Sequence, residues 1–444
     1  MNSSSINTVS PRQWHGRVWR LAAPIILSNL SIPLVGAVDT AVMGHLPDPA
    51  YIGAVALGAV IFSFLYWGFG FLRMGTTGFI AQAYGAGELD EMRSSMARAL
   101  LLAVLLGSVV IALQWPIGYA ALSALDAEPQ IESLTADYYR IRVWSAPAAL
   151  LQYVVLGSLI GLQNTRAVLV LQLVLNGTNV VLDLLFVLGF GWDVKGVAAA
   201  TLISECLAAA VGLWLLRRSL RPLAGRYDRT TLLDPGRLTA LLRVNGNIFI
   251  RTLCLIFAFA YFTALSSSLG ALTLAANAVL MHLQHFLAYG LDGFAHAAET
   301  LVGSAYGRRD RPAFRAAVRT TTIWAAAIAL LYTVLYAIAG SGFVALLTNI
   351  EPVRSEAHRY LPWLIVSPLI SVWSFQLDGI FIGSTHSREM RNGMIVSLAI
   401  FLVATWVLLP MLGNHGLWCA LAIFLIVRAV TLGLYFGRIE RSLS

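Results

Sequence analysis

The segment LNGTNVVLDLLFVLGF, Leu175 to Phe190, is apolar except for Asn176, Thr178, Asn179 and Asp183. Steps of three and four stack Asn176, Asn179 and Asp183 on one face of an α-helix. A carboxylate and two amides on one stripe suit either a cation site or a clasp that holds neighbouring helices together. A second stripe comprises His282, His285, Tyr289, Asp292, His296 and Glu299, in steps of 3, 4, 3, 4 and 3. Such groups suggest a metal. However, the stripe covers about 25 Å of helix, more than one ion can reach, and no HExxH is present. The expectation is therefore a water-lined cavity wall or an internal hydrogen-bond network, with no metal. Asp378 stands apart, as a cavity group or a second proton carrier. Cys206, Cys254 and Cys419 fall singly among apolar residues and read as small packing groups.

The surroundings of these groups are greasy. Of 444 residues, 58% are hydrophobic and 12% charged, about half the charged fraction of a soluble domain. Crossing a bilayer takes about 20 apolar residues. Twelve stretches qualify: approximately 18–43, 52–79, 94–116, 134–161, 167–190, 196–216, 241–267, 274–304, 314–339, 356–384, 392–412 and 416–437. The fold class is thus an all-α polytopic membrane protein. The first stretch is long, contains Pro24, Pro33 and Asp39, and lacks a convincing cleavage site, so a cleaved signal peptide is not expected. The net charge of +8 comes from arginines in alternate loops, while the third loop carries Asp126, Glu128 and Glu132. This is the positive-inside pattern with both termini cytoplasmic, and it argues against nucleic acid as a partner.

The chain is also duplicated. At a shift of 222 residues Phe64-Leu65 meets Phe286-Leu287, Ala83-Tyr84-Gly85 meets Ala305-Tyr306-Gly307, and Gly157, Gly161 and Arg166 meet Gly379, Gly383 and Arg388. Two pseudo-symmetric six-helix lobes are expected, residues 1–220 and 241–444, joined by a cytoplasmic linker over 221–240. Parallel repeats of this kind are typical of transporters that rock two bundles about a central cavity. Counting inward from the loops puts Asp39, Asn179, Asp183 and Thr201 at similar depth on three helices of the first lobe. Two carboxylates that approach one another cannot easily both ionise, so one is expected to take and release a proton in each cycle. Glu205, one turn below Thr201, is expected to extend this cluster or to pair with an arginine.

At this point the motifs PLVGAVDTAVMGHL, FLRMGTTGFIAQAYGAG, LDGFAHAAE and LDGIFIGSTHSREMRN resemble those of the multidrug and toxic compound extrusion family, in its DNA-damage-inducible F branch, over about residues 14–440. The resemblance implies export of organic, cationic or amphipathic compounds in exchange for protons or sodium, with no cofactor and no enzymatic activity. It implies a coupling-ion site at Asp39, Asn179, Asp183 and Thr201, and a helix-one bend at Pro24. Asn176, Glu205, Asp378 and the second stripe are then candidates for the substrate cavity. The sodium-coupled branch places an acid in helix seven, whereas Leu241 to Ser267 holds none. The expected partners are small amphipathic substrates and membrane lipids, a monomer suffices, and the expected location is the bacterial inner membrane. Two alternatives carry distinct signatures. A lipid-linked oligosaccharide flippase would line its cavity with arginines, and a membrane-embedded enzyme would need a nucleophile or metal motif.

Overall fold

The computed structural model describes residues 11–43, 48–125, 127–227 and 229–443. Asp126 lies outside these residues. Among them, twelve helices are long and apolar enough to cross a membrane: Arg12–Met43, Ala50–Ala86, Leu89–Ala112, Pro129–Gly161, Thr165–Gly189, Val194–Leu220, Thr230–Ser268, Ala271–Gly307, Arg311–Leu347, Glu351–Gly383, Ser387–Leu412 and Asn414–Arg441. They are called spans 1 to 12 below. Lipid offers no partner to the backbone, so each segment satisfies its own amides as a helix. Side chains handle the ends. Asn164, Asp193 and Asp310 each accept a backbone N–H in the first turn of spans 5, 6 and 9, as N-caps do.

Four spans depart from a plain helix: span 7 is interrupted between Leu232 and Pro235, and three others depart as follows. Span 2 breaks after Gly68 and resumes at Phe71. Span 4 passes through a 3-10 turn, Val143–Ser145. Span 5 changes to a π-helical turn, Leu184–Gly189, immediately after Asp183; such turns recur at functional sites. A further helix, Gln114–Leu125, follows span 3 where the sequence suggested the end of a span and a loop.

The repeat is built into the packing. A Cβ on Gly157 would clash with the carbonyl oxygen of Arg73, and one on Gly379 with that of Ala295. A Cβ on Gly161 would lie 3.1 Å from the amide nitrogen of Ala81, and one on Gly383 would lie 3.0 Å from that of Gly303. Residues 73 and 295, like 81 and 303, are themselves 222 apart. Span 4 therefore crosses span 2 as span 10 crosses span 8, backbone to backbone, because only glycine allows that approach.

The chain forms two compact units. One comprises Met1–Ile26 with Phe257–Ser444, the other Leu27–Ile256. These boundaries differ from a division into 1–220, 221–240 and 241–444 in two places. The start of span 1 belongs with the second repeat, where Trp19 packs edge-on against Phe294 and Trp324. The start of span 7 belongs with the first, where Phe249 meets Phe71. Within the Leu27–Ile256 unit the inter-repeat segment is tied down. The Arg93 guanidinium donates to the carbonyls of Leu220 at 3.0 Å and Leu223 at 2.9 Å. Arg98 donates to Thr231 O at 2.8 Å, and Glu91 pairs with both Arg98 and Arg237.

Candidate cation-coupling site

Span 1 beyond Ile26, span 5 and span 6 bring the first stripe together within the Leu27–Ile256 unit. The Asn176 amide donates to Ser31 Oγ on span 1 at 2.6 Å and accepts from Gln172 at 3.2 Å. One turn on, Asn179 donates to Thr201 Oγ1 on span 6 at 3.3 Å, and Thr201 in turn donates to Val197 O at 3.0 Å. A further turn on, Asp183 is fully buried and faces Asp39 within hydrogen-bonding reach. Among the described residues, both Asp183 oxygens and Asp39 Oδ1 are buried with no protein hydrogen-bond donor. The stripe thus touches two helices at successive levels, with the facing acids at its far end.

Glu205 resolves to one of its two expected roles. It pairs with Arg142 of span 4 at 3.6 Å, the two side chains being 11% and 16% exposed. Arg142 also donates to Tyr138 Oη at 2.7 Å and lies over the Phe62 ring at 4.6 Å. Its charge acts on Asp39 and Asp183 as well as on Glu205. Arg142 is thus a largely buried cation set among three carboxylates, a group not expected from the sequence. One signal was available: Arg140 and Arg142 stand near the arginine-poor end of their span.

In the Phe257–Ser444 unit the second stripe divides. Its lower end is internal, with His296 Nδ1 3.1 Å from Glu299 Oε1 and Glu299 1% exposed. Tyr289 and Asp292 are half-buried, while His282 and His285 are exposed. Asp378 does not stand alone. It forms a 2.7 Å ion pair with Arg428 of span 12, and the side chains are 12% and 6% exposed. Arg428 is the only arginine or lysine between Asn414 and Gly437, a second group that sequence reasoning passed over. A clasp joins Asn277 to Ser266, Asn414 and Trp418 at 2.7–2.9 Å.

Comparison with known proteins agrees with this architecture. The MatE family model matches residues 24–185 and 248–411, once in each repeat. The chain belongs to the MatE family. It is 42% identical to DNA damage-inducible protein F of Escherichia coli (strain K12) over 427 residues, covering 95% of this chain and 92% of that protein. It is 26% identical to DETOXIFICATION 44, chloroplastic, of Arabidopsis thaliana over 432 residues, 93% of this chain and 80% of that one. Among solved structures it resembles a MATE protein in a bent conformation, with a TM-score of 0.88 at 20% identity over 98% of this chain and 96% of the other. A MOP superfamily transporter from Pyrococcus furiosus matches with a TM-score of 0.87 at 20% identity, covering 97% and 96%. This MatE chain is therefore a multi-pass membrane transporter, and its fold and relatives are those of transporters, not enzymes.

Proposed function

We propose that this MatE protein exports organic, cationic or amphipathic compounds in exchange for protons by alternating access. The observation that carries the choice of ion is the facing of Asp39 and Asp183 without a donor, among the described residues, for three of their four oxygens. Two carboxylates in direct reach repel when both are ionised and bind when they share one proton. In this cycle the acids take up a proton on the outer side, substrate is released, and the proton leaves on the inner side. The Asn179–Thr201 hydrogen bond holds spans 5 and 6 in register beside the acids.

Span 1 is the moving part in this proposal. Pro24 lacks the N–H that would bond to the carbonyl of residue 20, and the two compact units divide this helix between Ile26 and Leu27. Structurally similar MATE structures are described as bent and as straight conformations, so the fold admits more than one shape. The stripe on span 8 and Asp378 serve the substrate-facing side, and the arginine-rich loops support a location in a bacterial inner membrane with both termini on its cytoplasmic side.

The test is efflux of a fluorescent organic cation from proteoliposomes under separately imposed gradients. A proton gradient should drive efflux in the absence of sodium, and the recovered compound should be chemically unchanged. Efflux only under a sodium gradient would assign that ion instead, and a modified product would indicate an enzyme.

A further inference from the structure

A cavity of about 390 Å³ opens between the first turns of span 3 and the last turns of span 6. Both ends belong to the arginine-rich side of the protein. Three guanidinium groups line its mouth: Arg93 from span 3, Arg217 from span 6, and Arg221 immediately after span 6. Arg93 is half-buried, whereas Arg217 and Arg221 are exposed. Tyr227 of the inter-repeat segment closes one side, with its ring 5.6 Å from the Arg93 guanidinium.

The other lining residues follow helical steps away from the arginines. On span 3 the sequence runs Arg93, Met96, Leu100, and on span 6 it runs back through Arg217 to Leu213. These steps put each set on one face of its helix. The cavity is therefore graded, positive at the end of the bundle and purely aliphatic one to two turns further in. Among the described residues no acidic side chain lines it. A soluble anion has no use for the aliphatic wall, and an apolar solute has none for three arginines. An anionic phospholipid satisfies both, because basic pockets between transmembrane helices at this level recruit acidic headgroups and the acyl chains continue along the aliphatic faces.

We propose that this cleft binds the headgroup of an anionic phospholipid between spans 3 and 6. Arg93 has a second task there. It donates to the carbonyl of Leu220 at the end of span 6 and to that of Leu223 in the inter-repeat segment, and it carries Tyr227 over its face, so a bound phosphate fastens the inter-repeat segment to both spans. The lipid then acts as a structural ligand of the segment that joins the repeats.

The experiment uses the full-length protein in nanodiscs of mixed phosphatidylglycerol and phosphatidylcholine. Native mass spectrometry after release from the disc reads which lipid is retained. The wild type should keep one phosphatidylglycerol in preference to phosphatidylcholine. The Arg217→Gln, Arg221→Gln pair should lose about 30-fold in that retention, which is about 2 kcal/mol for two basic residues at a membrane surface. Arg309→Gln with Arg388→Gln, exposed arginines elsewhere, should leave retention unchanged. Leu100→Gln should also weaken retention, and this variant keeps the test open if the double arginine variant does not assemble. Soluble glycerol phosphate should fail to displace the lipid. Equal loss in the distant arginine pair, equal retention of phosphatidylcholine, or displacement by glycerol phosphate would overturn the proposal.

Discussion

Arg142 and Glu205 offer the clearest energetic test, because the pair is buried and joins spans 4 and 6. At 3.6 Å and an effective dielectric of about 20, their attraction is roughly 5 kcal/mol. Desolvation of both charges offsets much of it, so the pair is close to neutral against an apolar substitute. Removing one partner is different, since a carboxylate then remains buried without its cation. Arg142→Met should lower stability by about 3–5 kcal/mol, with some of the loss due to the guanidinium that leaves the Phe62 ring. The double variant Arg142→Met, Glu205→Leu should recover most of it. Reversible unfolding in mixed micelles, followed by tryptophan fluorescence across the double-mutant cycle, measures both numbers. A loss below about 1 kcal/mol for Arg142→Met, the range of exposed pairs, would refute the assignment of a buried pair.

Three further outcomes follow from the packing and the charge pattern. Gly157→Val and Gly379→Val should each cost about 1–3 kcal/mol by overpacking and reduce the folded yield, because both press on a backbone carbonyl. Gly177→Ala, which meets nothing within 4 Å, should leave the yield unchanged when both are followed by size-exclusion chromatography. Asp378→Asn breaks the pair with Arg428 and should destabilise the protein by about 3 kcal/mol, yet proton-driven efflux per folded molecule should persist. Loss of coupling at full stability would instead make Asp378 a proton carrier. Single cysteines at Arg226 and Glu128 in a cysteine-free background should label from opposite sides of intact cells, and labelling of both from outside would contradict the topology.

Much of this arrangement is legible in the chain because membrane helices leave few choices. The twelve apolar stretches and the 222-residue shift follow from hydropathy and residue identity alone, and Gly157, Gly161, Gly379 and Gly383 mark the two equivalent crossings. Counting inward from the loops was enough to bring Asp39 to Asp183 and Asn179 to Thr201, since helical rise converts residue number into depth. Depth does not supply azimuth. Arg142 near a span end resembles a side chain that snorkels to the interface, and only the rotation of spans 4 and 6 turns it onto Glu205. Arg428 and Asp378 meet for the same reason, across 50 residues of chain. The division of spans 1 and 7 between compact units is likewise tertiary, for a proline permits a bend without saying where the helix on either side will pack. The π-helical turn after Asp183 leaves no trace in LLFVLG.

The central claim is that Asp39 and Asp183 carry the exchanged proton. The direct measurement is efflux from proteoliposomes containing the Asp39→Asn, Asp183→Asn double variant, under an imposed proton gradient and without sodium. Amides mimic the protonated acids and cost less in the membrane than carboxylates, so the protein should fold, bind substrate and lose coupled efflux almost completely. Thr201→Ala, which keeps both acids, should only weaken it. Undiminished proton-driven efflux by the double variant would contradict the mechanism.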